Sequence, residues 1–225
     1  ALVAEQMKQP LLVKHAAFVK RQADESFIPL HQDIALWEHP YETALTAWVA
    51  LTPARRENGG LFYHPNTSTV HPHAFDLDYP MFKCIPADEP NMDRSALRDI
   101  DADAGDVLLW PSRTAHGSHV NTQGGLRVGM PMVYVEEAEF MGFVEERIRA
   151  WSATSLSELF AGTPVQRHEL DTRLATLKSH SLKLVTFLAR FSRHFGHAPR
   201  IMDFIAAPAV GTLASSALAS RSSLR

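Results

Sequence analysis

The sequence predicts an α+β chain: a mainly β core up to residue 135, then a helical extension over 136–225. Two observations carry this prediction. TALTAWVALT (43–52) is rich in β-formers and alternates as half-buried strands do, and DVLLW (106–110) and LRVGMPMVYV (126–135) read as further strands. After Glu136 the apolar residues instead recur at steps of three and four, the spacing of one helix face. Apolar residues make up 45% and charged residues 21% of 225 residues, which suits one sizeable globular core or a domain with an appendage.

Taken in order, residues 1–30 read as two helix-like stretches broken at Pro10, and the pattern shortens toward a strand at Phe27 and Ile28. The strand at 43–52 is followed by a loop over 53–60 and a short strand from Leu61 to His64. The stretch 65–103 is polar, proline-rich and without period, as lids and binding loops often are. Gly105 turns the chain into DVLLW, and the strand after it places Met130, Met132 and Tyr134 on one face. EEAEFMGFVEERIRAW then forms an amphipathic helix, and a longer one carries Leu170, Leu174, Leu177, Leu184, Leu188, Phe191 and Phe195 in a stripe. That stripe suits either packing on the β core or pairing of two copies as a homodimer. From Pro208 the chain is small and Ser/Ala-rich, and is expected to be a mobile tail.

Several function classes are disfavoured at once. A formal net charge of -3 argues against nucleic acid as partner, since a phosphate-tracking domain is usually basic. Cys84 is the single cysteine, so no internal disulfide forms and a reducing cytoplasm is the expected compartment. No apolar run is long enough to cross a bilayer and no signal peptide is visible at Ala1, so no membrane partner is expected. The absent initiator Met points to residues missing upstream. A small molecule is the expected partner.

The chemistry concentrates in two places. In His31-Gln32-Asp33 an imidazole and a carboxylate lie two apart, which on a strand puts both on one face. Residues 116–127, HGSHVNTQGGLR, add histidines after DVLLW and an arginine at the start of the next strand. Two histidines and one carboxylate on one side of a metal are the facial triad of non-haem Fe(II) oxygenases, with open positions left for substrate ligands and O₂. A guanidinium fork matches a carboxylate bidentately, so Arg127 suits the distal carboxylate of 2-oxoglutarate. His116 and His119 compete for the distal ligand position.

HQDIALW, TALTAWVALT, ENGGLFYHPNTS and GDVLLWPSRTAHGSHVNTQGGLRVG, in that order, resemble the phytanoyl-CoA dioxygenase superfamily, which includes the ectoine hydroxylases. The resemblance runs from about residue 28 to 135. It implies a double-stranded β-helix, a jelly roll of the cupin kind. It also implies that Fe(II) is bound by His31, Asp33 and His116, and that Arg127 holds 2-oxoglutarate. Trp37 and Ser118 match positions lining the 2-oxoglutarate pocket in ectoine-hydroxylase-like members. Asn58 and Gly59 fall on the family's NG turn, and Asn121 matches an asparagine that shapes the loop. Where the family has PGSH, this chain has Pro65-Asn66-Thr67-Ser68. Related halogenases replace the carboxylate by a small residue, so Asp33 implies oxygen transfer: hydroxylation of a C–H bond, with succinate and CO₂ released. The same chemistry also serves desaturation, epoxidation and ring closure.

Other residues have plainer readings. His71 and His73 suit surface positions better than a zinc pair, and Arg55, Arg56 and Arg113 suit solvated loops. His39 and His64 fit either a substrate-facing or a solvated role. Tyr63, Phe75, Met81, Phe82 and Met132 are candidates for the substrate pocket. Two other function classes compete: a zinc hydrolase, which would need a general base and leaves Arg127 without a role, and a non-catalytic cupin-like binding protein.

Overall fold

The computed structural model describes residues 2–22, 26–66, 69–75, 82–123 and 125–222. The chain forms two compact units, Ala1–Phe140 and Met141–Arg225. The division falls within the first turns of a helix, slightly beyond the residue 135 boundary expected from the sequence.

The first unit is built on two antiparallel sheets. In one, the order is β1 (Pro10–His15), β11 (Arg127–Glu136), β4 (Leu45–Ala50) and β9 (Val107–Pro111), with β2 (Phe18–Lys20) also paired to β11. In the other, the order is β3 (Ile28–His31), β10 (His116–Ser118), β5 (Leu61–Tyr63) and β8 (Arg98–Ile100). A two-stranded ribbon, β6 (Ala74–Phe75) with β7 (Lys83–Cys84), arises from the long polar stretch. This is the double-stranded β-helix expected from the sequence.

The strands expected at 43–52, 106–110 and 126–135 are β4, β9 and β11, which pair directly: Ala47 lies opposite Met132 on one side and Leu109 on the other. Gly129 permits a close approach there. A Cβ at that position would fall 2.1 Å from the Trp48 indole, so only glycine lets Trp48 lie across β11. Trp48, Ala50, Ala54, Leu61 and Ala102 then bury together between the sheets.

Two expectations for the ends of the chain fail. Only the first N-terminal stretch is helical, α1 (Leu2–Gln6); Pro10–Lys20 is extended as β1 and β2. The apolar residues of LLVKHAAFV fit either period, and pairing with β11 over Leu11↔Val135 and Val128↔Val19 selects the strand. The Ser/Ala-rich C-terminal stretch is not a loose tail but the helix α6 (Val210–Ser222), with Val210, Leu213 and Ala214 buried.

The second unit consists of most of α2 (Glu137–Leu159), with α3 (Leu170–Thr176), α4 (Ser181–Phe195), α5 (Ile201–Ala206) and α6. The stripe read as one long helix is split between α3 and α4 by a 3-10 turn at Leu177–Ser179, and Gly196 ends α4 in the left-handed conformation. Leu170, Leu174, Leu177, Leu184, Phe187, Leu188 and Phe191 bury against one another, Ile148, Leu156, Phe204 and α6. The stripe is therefore covered within its own unit. Phe187→Ala is expected to cost about 3–5 kcal/mol, read as a lower denaturant midpoint of the far-ultraviolet helical signal. No helix among the described residues is long and apolar enough to cross a membrane.

Candidate functional site

β3 and β10 are neighbours in the second sheet, and their register sets His31 opposite His116. The two imidazole centroids are 4.3 Å apart. Asp33 is not on the strand with His31, as the two-residue spacing suggested. It opens a 3-10 turn, Asp33–Ala35, that swings its carboxylate back toward His31, with Nε2 to Oδ1 at 3.7 Å. One ligand atom from each of His31, Asp33 and His116 lies within 4.8 Å of the others, close enough for one ion to reach all three.

Each ring is oriented by the same device. His31 Nδ1 donates to the Pro29 carbonyl at 2.9 Å, and His116 Nδ1 donates to the Thr114 carbonyl at 2.8 Å. A carbonyl only accepts, so the proton sits on Nδ1 and each Nε2 keeps its lone pair for a metal. Burial pushes His116 down to about 4, so it is neutral near pH 7. Burial alone would raise Asp33, but its neighbours His116, His31 and Thr46 together outweigh it. Its carboxylate is held well below the usual range and is ionised. Thr46 Oγ1 on β4 donates to Asp33 Oδ2 at 2.9 Å. Two imidazoles presenting Nε2 and a carboxylate suit a divalent first-row ion with one face left open.

The same cavity holds the co-substrate candidates. His31, Asp33, Trp37, His116, Ser118 and Arg127 all line it. Arg127 is 1% exposed, and its Nε and one terminal nitrogen both donate to the Gly59 carbonyl, Nε at 2.8 Å. Its guanidinium carbon stands 5.5 Å from the Trp48 ring centroid. No acidic side chain among the described residues pairs with it, and burial pushes it down to about 10. Such a charge is costly to bury unpaired, so the residues here fit an anionic ligand beside Arg127.

Lys20 also belongs to this cavity, without a motif in the sequence to mark it. It lies opposite Arg127 across the β2–β11 pairing, is 4% exposed, and donates from Nζ to Ser118 Oγ at 2.9 Å and to the His119 carbonyl. Ser118 thus meets the cavity as part of a Lys20–Ser118 pair. A lone lysine eleven residues before HxD carries no sequence signal; only the strand register reveals it.

Between the two distal histidines the geometry is unambiguous. His116 joins the cluster, while the His119 ring is bonded through Nε2 to Asp99 Oδ1 at 2.6 Å and packs on Phe62. Phe82 lines the cavity, edge-on to His31 at 4.8 Å, and Trp110 packs on His116 at the same separation. Tyr63, Phe75 and Met132 are not among its described lining residues, and Met81 lies outside the described residues. Arg55, Arg56 and Arg113 pair with Asp103, Asp99 and Glu42. His71 and His73 are half-buried rather than on the surface. Asn121 shapes its loop, donating to the Gly125 carbonyl at 2.9 Å.

The family model for phytanoyl-CoA dioxygenase (PhyH) matches residues 1–129. Among solved structures, the chain is similar to the apo form of the non-haem monooxygenase ThoJ, at 24% identity over 60% of this chain and 50% of that one, TM-score 0.50. It is also similar to EvdO2 from Micromonospora carbonacea var. aurantiaca complexed with 2-oxoglutarate, at 21% identity, 57% and 53% coverage and TM-score 0.49. A third similarity is to SnoK, a non-haem α-ketoglutarate-dependent carbocyclase from nogalamycin biosynthesis, at 26% identity, 57% and 51% coverage and TM-score 0.45. The chain spans about half the length of each. The ThoJ likeness bears on the fold alone. Nothing among the curated proteins matches.

Proposed function

Because the chain belongs to the phytanoyl-CoA dioxygenase family of Fe(II)- and 2-oxoglutarate-dependent oxygenases, we propose that it hydroxylates a C–H bond of a small organic substrate, with release of succinate and CO₂. The observation that carries this reading is the buried, acid-free Arg127 facing the same cavity as the His31, Asp33, His116 cluster.

The residues divide the work. His31, Asp33 and His116 hold the metal through two Nε2 atoms and a carboxylate oxygen, and Thr46 keeps the other Asp33 oxygen turned aside. Arg127 meets the distal carboxylate of 2-oxoglutarate, with Lys20 and Ser118 lending donors beside it. The chemistry that metal and keto acid supply when bound is O₂ reduction coupled to decarboxylation of 2-oxoglutarate. Trp37, Phe82 and Trp110 line the cavity with apolar surface, which excludes water from the reacting centre. An ectoine-hydroxylase-like subtype is supported by Trp37 and Ser118, both of which line that cavity.

Asp33 is the only carboxylate among the described lining residues, so a zinc hydrolase lacks its general base there. A cupin-like binder needs neither the cluster nor the buried guanidinium. The test is an anaerobic visible-absorption titration with Fe(II) and 2-oxoglutarate, beside Asp33→Ala and Arg127→Ala. A weak charge-transfer band that requires both components and is lost in Asp33→Ala is expected. No band in folded, metal-loaded protein would overturn the reading. In turnover, a product heavier by one oxygen from a substrate without a double bond marks hydroxylation, the same gain at an alkene marks epoxidation, and loss of two hydrogens marks desaturation or ring closure.

A further inference from the structure

Gln32 sits between two members of the metal cluster, and its side chain is fully buried. Its amide is saturated by backbone. Nε2 donates to the Thr69 carbonyl at 2.9 Å and to the Arg113 carbonyl at 2.6 Å, while Oε1 accepts from the His71 N–H at 2.8 Å. Two carbonyls on one side and an N–H on the other fix which way the amide points. The Gln32 backbone N–H donates to His73 Nε2 at 2.9 Å, and His73 Nδ1 donates to the His71 carbonyl at 2.8 Å, which leaves Nε2 as the acceptor.

One residue therefore ties three segments together. The first is the His31–Asp33 stretch itself. The second is the turn at Arg113, one residue before Thr114, whose carbonyl orients His116. The third is the 69–73 segment, which runs directly into the β6–β7 ribbon. We propose that Gln32 is a positioning residue that couples placement of the 69–73 segment to the geometry of the metal cluster. This rests on the metal reading above. Coupling of this kind is reciprocal: a metal that fixes His31 and Asp33 also fixes 69–73, and loosening 69–73 weakens the metal.

The probe is Mn(II), a redox-stable stand-in for Fe(II), with affinity read by EPR and backbone protection at 69–73 read by hydrogen exchange. In the unsubstituted protein, Mn(II) raises protection at 69–73. Gln32→Met keeps side-chain length and removes the amide. It is expected to bind Mn(II) roughly 10- to 100-fold more weakly, the usual loss when a group orienting metal ligands is removed, with protection at 69–73 no longer responding to Mn(II). His73→Phe cuts only the loop side and is expected to shift both readouts in the same direction by a smaller factor.

A purely structural role for Gln32 would lower the melting temperature and leave Mn(II) affinity unmoved. That result overturns the coupling, as does unchanged metal response in His73→Phe. If the unsubstituted protein bound no Mn(II), the metal reading would fail together with the coupling. Normal binding there with unaltered variants sinks the coupling alone.

Discussion

Arg127→Leu should leave the melting temperature of the ligand-free protein nearly unchanged while removing its response to 2-oxoglutarate. Two opposing terms set the first half. Burial pushes Arg127 down to about 10, so a guanidinium charged at neutral pH destabilises the fold, on the order of 3 kcal/mol at about 1.4 kcal/mol per pH unit. Leucine relieves that, but strands the Gly59 carbonyl, which costs about 1–3 kcal/mol when buried. The sum is small. The second half is large, because truncating one partner of a buried charge pair costs roughly 2–5 kcal/mol, or about thirty-fold to a few thousand-fold in affinity. Thermal melts with increasing 2-oxoglutarate and Mn(II) give both numbers. The unsubstituted protein should gain about 2.7 kcal/mol at a hundred times its Kd, and Arg127→Leu about 0.9 kcal/mol at most at the same concentration. A full ligand-induced shift in the variant would remove Arg127 from the co-substrate site.

Gly59→Ala should damage stability and co-substrate binding together. Gly59 has φ +90°, and a Cβ there would stand 2.6 Å from Lys20 Cδ and 3.1 Å from the His119 carbonyl oxygen. The backbone strain costs about 1–2 kcal/mol and the crowding about 1–3 kcal/mol. Lys20 cannot simply swing away, because its Nζ is held by Ser118 and His119. Any shift of residue 59 also moves the carbonyl that orients Arg127. Gly105→Ala separates the effects: it has φ +98° but no atom within 4 Å of its Cβ position, so it carries the backbone strain alone. Denaturant titration and 2-oxoglutarate affinity should show Gly59→Ala impaired in both and Gly105→Ala in stability only. Equal behaviour would mean that the NG turn does not support the cation pair.

Legibility in the sequence followed the length of each pattern. β4 and β11 alternate over enough residues to declare themselves, β9 shows as a compact apolar run after the Gly105 turn, and the four ordered motifs point to the His31, Asp33, His116 and Arg127 set. β10 spans only His116–Ser118, and the β6–β7 ribbon pairs two residues on each side, too short for any period to register. β1 and β2 read as helix in the sequence because their apolar residues satisfy both periods until β11 is available to pair with. Lys20 and Gln32 were invisible for a related reason: their partners lie 98 and 81 residues away, at Ser118 and Arg113. The C-terminal helix α6 was misjudged because small residues look uncommitted until a neighbouring core makes room for them.

The matching carbonyl hooks on His31 and His116 bear on how the site loses and regains its ion. Both rings are tethered by nearby backbone carbonyls, so the aim of the rings is set before the ion arrives, and what the ion adds falls on Asp33 and the 69–73 segment. Stripping the protein with a chelator should leave an empty but correctly shaped socket, with no refolding needed before the next ion enters. Reconstitution should then be as fast as simple mixing, and Mn(II), Co(II) and Fe(II) should compete for the socket on supply as much as on fit.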